Sequence, residues 1–239
     1  MIERRLFLLG AAAWSVAGLA HAQNLGDLIG AVSKSGALSQ GDASSGLKQA
    51  LSNGVVAATT KLGKTDGFFN DMRFHIPLPG SLGKAQKTLR PLGMSGALDD
   101  LELKMNRAAE QSMPVAKTLF LNAVKSITIT DAVNIVRGGD TAGTDFLRER
   151  TDDDLTDLLR PKMETGLKKT GAFSALDRAS KSLSAFGGAS LGANLKSQVI
   201  DFAVAKTLDG AFGYIAEEEK DIRHNPVKRS TAILKKVFG

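Results

Sequence analysis

The sequence predicts an all-α fold, a single-domain multi-helix bundle of roughly eight helices with at most a short extended segment near 72–78. Apolar residues recur at intervals of three and four along most of the chain, which is the spacing of one helix face. Strand signals are few, because Met72-Arg73-Phe74-His75-Ile76 alternates but is ended by Pro77 and Pro79. The chain has no cysteine, so its stability has to come from a buried core rather than from disulfides.

The elements follow in order. Leu47, Leu51, Val55, Ala58 and Leu62 form a stripe between Asp42, an expected N-cap, and Gly63, an expected stop. Leu98, Leu101, Met105 and Ala108 begin a second stripe, which Val115, Leu119, Asn122, Ala123 and Ile127 extend. Pro114 is expected to kink or divide that helix. Thr130 is placed as the cap of a short helix ending at Gly138-Gly139, and Asp140 as the start of another. Thr151, followed by Asp152, Asp153 and Asp154, has the composition of a helix N-terminus ahead of Leu155, Leu158 and Leu159, so the acidic triplet needs no calcium to explain it. Leu195, Val199, Phe202, Lys206, Leu208 and Phe212 mark a long helix to about His224, stopped by Asn225-Pro226. Ile233, Leu234 and Val237 mark a short closing one. Gly187-Gly188, with Ala189 and Ser190, is expected as a flexible link.

Residues 1–22 carry the features of an address. Arg4 and Arg5 precede an apolar run from Leu6 to Leu19, and Ala20-His21-Ala22 is a small-x-small cleavage site, the order of a cleavable signal peptide. The arginine pair also resembles a twin-arginine export signal, with Glu3 and Leu9 departing from the usual pattern. Either export route places residues 23–239, a single helical domain, in the periplasm. No transmembrane segment is expected. Without its first 22 residues the chain keeps 217 of 239, and its formal charge falls from +6 to about +5 because Glu3 leaves with both arginines. Lys168-Lys169, Lys228-Arg229 and Lys235-Lys236 are short and lack interleaved aromatics, so no nucleic-acid partner is expected.

Several chemistries are absent from the residue inventory. Zero cysteine excludes thiol catalysis and thiolate metal sites, and a Ser-His-Asp arrangement would have to use His75 or His224 as its base. There is no His-x-x-x-His pair, and neither a metal nor another cofactor is expected. Gly63-Lys64-Thr65 lacks the leading glycine spacing of a phosphate loop, and Gly138-Gly139 reads as a helix stop and turn.

The densest polar pattern is Glu102, Asn106 and Glu110, spaced by four so that a helix stacks them in one row. Arg107 lies three residues before Glu110, and Asp100 pairs with Lys104 at i,i+4. Such a row can be a catalytic carboxylate pair, a ligand contact, an interhelical polar network or a solvated face. No catalytic residue is assigned. The leading expectation is a non-enzymatic periplasmic protein binding a small or lipid-like ligand or a partner protein, through Glu102, Asn106, Arg107 and Glu110 with the loop Ile76-Pro77-Leu78-Pro79. Its rivals are a hydrolase or lyase with Glu102 as general base and Arg107 holding an anion, and a structural or assembly protein in which the row locks helices together.

Five stretches occur together in one family. They are Asp42-Ala43-Ser44-Ser45-Gly46-Leu47-Lys48-Gln49-Ala50-Leu51; Ile76-Pro77-Leu78-Pro79; Glu102 to Glu110; Ile129-Thr130-Asp131-Ala132 with Gly138-Gly139; and Ala216-Glu217-Glu218-Glu219-Lys220 running to Asn225-Pro226. Over about residues 25 to 239 the chain resembles the exported bacterial proteins of domain of unknown function 4197. The resemblance implies one exported, mainly helical domain, and carries no activity or residue role with it.

Overall fold

The computed structural model describes residues 38–185 and 194–239, and within them eight α-helices and no strand. The expected signal segment, 1–22, and the Gly187-Gly188 link lie outside the described residues. Residues 72–78 form turns and irregular chain rather than a strand.

Helix α1 (Gln40–Leu62) buries the predicted stripe from Leu47 to Leu62. Its cap is Ser39, not Asp42: the Ser39 hydroxyl accepts from the Asp42 N–H at 3.0 Å, and the Asp42 carboxylate accepts from the Ser39 N–H at 3.2 Å. Asp42 is therefore the N3 half of a capping box. Helix α2 (Gly80–Leu89) follows a proline and holds two glycines, which hid it from the spacing argument. It packs Leu82, Gln86 and Leu89 inward.

Helix α3 (Gly96–Ser126) is the axis of the fold, packing against α1, α5, α6 and α7. It runs through Pro114 as one helix, so the division expected there does not occur. A helix enclosed on several sides can continue past a proline because tertiary packing outweighs the bond that proline removes. Helix α4 (Ile129–Val136) is capped by Thr128 with Asp131 as N3, not by Thr130. Helix α5 (Ala142–Thr170) begins after Thr141 rather than at Asp140, and it passes straight through Thr151-Asp152-Asp153-Asp154. Thr151 is no cap there, since its hydroxyl donates to the Leu147 carbonyl at 2.6 Å, one turn back. Helices α6 (Ala172–Ala185), α7 (Leu195–His224) and α8 (Ala232–Phe238) complete the chain.

Residues Ser39 onward form one compact unit around a common core that includes Leu47, Phe68, Met105, Phe120, Leu159 and Phe212. Phe120 of α3 meets Phe212 of α7 edge to face, with centroids 5.1 Å apart. No single described helix is long and apolar enough to cross a membrane.

A buried carboxylate sets where α4 and α5 lie. Glu219 of α7, 1% exposed, accepts from the N–H groups of Gly143 and Thr144 at 2.9 and 2.8 Å and from the Thr144 hydroxyl at 2.7 Å. These are first-turn donors of α5 that have no partner within the helix, and a carboxylate is favoured at that positive end. Arg223, one turn further along α7, donates to Glu219 at 2.8 Å and to the carbonyls of Ile135 and Val136 at 3.1 Å. One ion pair thus satisfies the start of α5 and the end of α4 together.

Candidate functional site

Two places in the fold gather polar chemistry, and the first is the row on α3. Glu102, Asn106 and Glu110 are all buried, because the chain between α1 and α2 folds back along this edge of the helix. Glu110 accepts from the N–H groups of Phe68 and Phe69 at 3.2 and 3.3 Å, and from Arg107 at 2.8 Å. Arg107 also reaches Asp66 at 2.6 Å, where the backbone takes a left-handed φ of 67°. The hydrogen bond it donates to Glu110 holds the Arg107 guanidinium above its ordinary pKa. Asn106 behaves like a strand partner for one residue: its carboxamide accepts from the Ile76 N–H at 3.0 Å and donates to the Ile76 carbonyl at 2.8 Å.

Glu102 closes the row. Its carboxylate accepts from Gln86 of α2 at 2.7 Å and lies 3.0 Å from His75 Nε2, while His75 Nδ1 lies 2.7 Å from the Phe69 carbonyl. Both imidazole nitrogens therefore face acceptors, and only a ring carrying both protons, or a proton on Glu102, satisfies the two together. Gln86 donates also to Asp99 at 2.8 Å. Burial pushes the Asp99 carboxyl up, but bonds from Ser95, Arg90 and Gln86 outweigh it and hold the group below the ordinary carboxylate value.

Glu102, Asn106, Arg107 and Glu110 are thus brought together, and each is bonded to the protein's own 66–76 segment or to α2. Among the described residues no buried side-chain polar atom lacks a partner. Of the Ile76-Pro77-Leu78-Pro79 stretch, Ile76 and Leu78 point into the core, while Pro77 is exposed and Pro79 precedes α2. Neither glutamate of the row opens onto the grooves described next.

The second place is a groove of about 430 Å³ between the C-terminal half of α3, the start of α4 and the first half of α5. Its floor is apolar, with Leu119, Ala123, Ile127, Leu147, Leu155 and Leu158. Leu158 is half exposed and Ile129, beside the α4 end of the groove, equally so. The rim carries Asn122, Ser126, Arg150 and Asp154. Arg150 lies 5.1 Å above the Phe146 ring, a cation–π placement that keeps the guanidinium at the edge. Arg150 and Asp154 make no ion pair with the described residues. Two further depressions occur, one of about 420 Å³ on α1 beside Val56 and Lys61, and one of about 230 Å³ between α5 and α7, where the pairs Arg148–Asp209 and Arg160–Asp201 cross.

Sequence spacing missed this groove because its lining comes from three helices and follows no motif. One signal was present: Leu158 belongs to the apolar run with Leu155 and Leu159, and it is left half exposed. The histidines hold structural positions, His75 in the row and His224 with Nε2 2.6 Å from Asp140. Gly138-Gly139 forms the turn from α4 to α5, and Gly63 closes α1. Among the described residues no group of three or more His, Asp or Glu is placed to hold a metal ion.

A family model described as a protein of unknown function, DUF4197, matches residues 37–239. No curated protein and no solved structure matches the chain. The match spans all eight helices, from the Ser39 capping box to α8, and the chain belongs to the DUF4197 family.

Proposed function

We propose that this chain is a non-enzymatic binding protein, exported to the periplasm by residues 1–22, and that it takes a small or lipid-like ligand in the groove between α3, α4 and α5. The observation that carries this reading is the groove itself. An apolar floor within a volume of about 430 Å³ and a few polar groups on the rim are what small-molecule sites share. Its walls are fixed rather than loose, because the Glu219–Arg223 pair clamps the end of α4 to the start of α5. In this reading Glu102, Asn106, Arg107 and Glu110 do not touch the ligand. They hold the 66–76 segment on α3 and keep that edge of the helix covered.

The experiment is native mass spectrometry on protein purified from its own periplasm, with an Ala123→Phe variant that fills the groove floor. The expected result is a mass above that of the bare chain for the natural protein, lost in Ala123→Phe and kept in Glu102→Gln. A natural protein that flies only as the bare monomer would overturn the reading. An excess mass lost in Glu102→Gln but kept in Ala123→Phe would return the ligand to the polar row.

A further inference from the structure

Between Asp71 and Asp99 the chain carries no acidic residue, but it carries Arg73, Lys84, Lys87 and Arg90. Two of these cations are committed: Arg73 pairs with Asp71 and Glu217, and Arg90 with Asp99. Lys84 and Lys87 have no ion pair among the described residues and stand exposed on α2.

Their placement follows from the helix. Leu82, Gln86 and Leu89 face inward, and Gln86 is anchored to Asp99 and Glu102. The opposite face then presents Ser81, Lys84, Lys87 and Thr88, all exposed, at helical spacing. The chain leaves this face through a tight turn, with Gly93 at a left-handed φ of 71° and its N–H donating to Arg90. That turn lifts Pro91, Leu92 and Met94 into solvent, with Leu92 66% exposed and Met94 41%. Two cations without an ion pair thus stand on the same part of the chain as two exposed aliphatic side chains.

We infer that the α2 face and the Leu92–Met94 turn form a docking surface for an anionic phospholipid bilayer. Lys84 and Lys87 meet the headgroup charge, and Leu92 and Met94 enter the boundary between headgroups and acyl chains. Charge complementarity selects this occupant: over 27 residues the chain carries no acid of its own, the Asp99 carboxylate that meets it is held by Arg90 and Gln86, and the apolar turn adds what a purely electrostatic contact lacks. The association is peripheral, since no described helix is suited to span the membrane. With so few groups it is reversible and weakened by salt.

The test is co-sedimentation of the mature protein with phosphatidylcholine vesicles, with and without phosphatidylglycerol. Binding is expected only with the anionic lipid. Each lysine near a charged surface strengthens partitioning about fivefold, so Lys84→Gln with Lys87→Gln is expected to weaken it by about 25-fold. Lys168→Gln with Lys169→Gln, the same charge change at exposed positions on α5, is expected to stay within about twofold of the natural protein if the local surface rather than net charge governs binding. Leu92→Ser with Met94→Ser is expected to lose about tenfold. All six positions are exposed, so these variants fold. No sedimentation of the natural protein would overturn the inference, as would equal losses in the two lysine pairs. Binding that survives the Leu92 and Met94 changes would overturn the insertion of the turn and leave a purely electrostatic contact.

Discussion

Thr144 and Glu219 are joined twice: one carboxylate oxygen accepts both the backbone N–H of Thr144 at 2.8 Å and its hydroxyl at 2.7 Å. The other oxygen takes Gly143 and Arg223, so the carboxylate bonds α5 directly and, through Arg223, holds the end of α4. Glu219→Ala leaves Arg223 buried without its partner, together with two uncovered N–H groups. It is expected to lower the unfolding free energy by about 3–5 kcal/mol. Glu219→Gln keeps the shape and some of the bonds, and about 1–3 kcal/mol is expected. Urea unfolding followed by circular dichroism measures both, and a loss within the error of extrapolation would show that the pair adds little.

Gly143 lies close against the same carboxylate. A Cβ there would come within 3.0 Å of Glu219 Oε1 and within 3.1 and 3.2 Å of Leu51 and Leu47. Alanine favours a helix over glycine by about 1 kcal/mol, whereas overpacking a tight site costs about 1–3 kcal/mol. Both leucines belong to the core and cannot withdraw. Gly143→Ala is therefore expected to be net destabilising, by about 1 kcal/mol, and a raised melting temperature would refute this.

Asn106 makes the only side-chain bonds to the Ile76 backbone among the described residues. Asn106→Leu is close in volume but strands a buried N–H and a buried carbonyl, each of which costs about 1–3 kcal/mol. A loss of about 2 kcal/mol or more is expected, with the 64–76 segment becoming the first site of cleavage in limited proteolysis. Unchanged cleavage there would show that the segment is held by Phe68 and Glu110 instead.

Acid should loosen the joint between α2 and α3 through Asp99. Its folded-state pKa is lower than the ordinary value of 3.8, so its contribution is complete at neutral pH and above that value. The contribution is lost as pH falls below about 4, through the folded pKa. Asp99→Asn is expected to be less stable at pH 7 and to show a shallower fall in stability between about pH 5 and pH 2 than the natural chain. Parallel stability curves for the two proteins would exclude Asp99 as a source of acid sensitivity.

Much of the helical layout was readable along the chain. The stripes Leu47 to Leu62 and Leu195 to Phe212 each follow one face of one helix, and Gly63 and Asn225-Pro226 end them as expected. Caps were misplaced by three residues at Asp42, the N3 acid of a capping box, and by two at Thr130, a hydroxyl residue already inside the helix that Thr128 caps. Thr151-Asp152-Asp153-Asp154 resembled a helix start by composition, although Phe146 and Leu147 already belonged to the helix before it. The row Glu102-Asn106-Glu110 could not be classed by spacing, since periodicity locates a polar edge and says nothing about which segment will cover it. Glu219 was concealed more fully. Within Glu217-Glu218-Glu219 it reads as a solvated run, and only the tertiary approach of α5 separates it from its neighbours.

The seating of α8 on α1 has a consequence in time. Val237 fills the space above Gly46, where a Cβ would collide at 2.4 Å, and Lys236 reaches Asp42 across a separation of 194 positions. Contacts that distant form late, because the intervening chain must be gathered before they repay its lost freedom. During synthesis α1 emerges first and waits longest for its cover. A chain stopped before Thr231 would leave the first helix bare along the side that Val237 occupies, so the last few residues act as the closing step of folding.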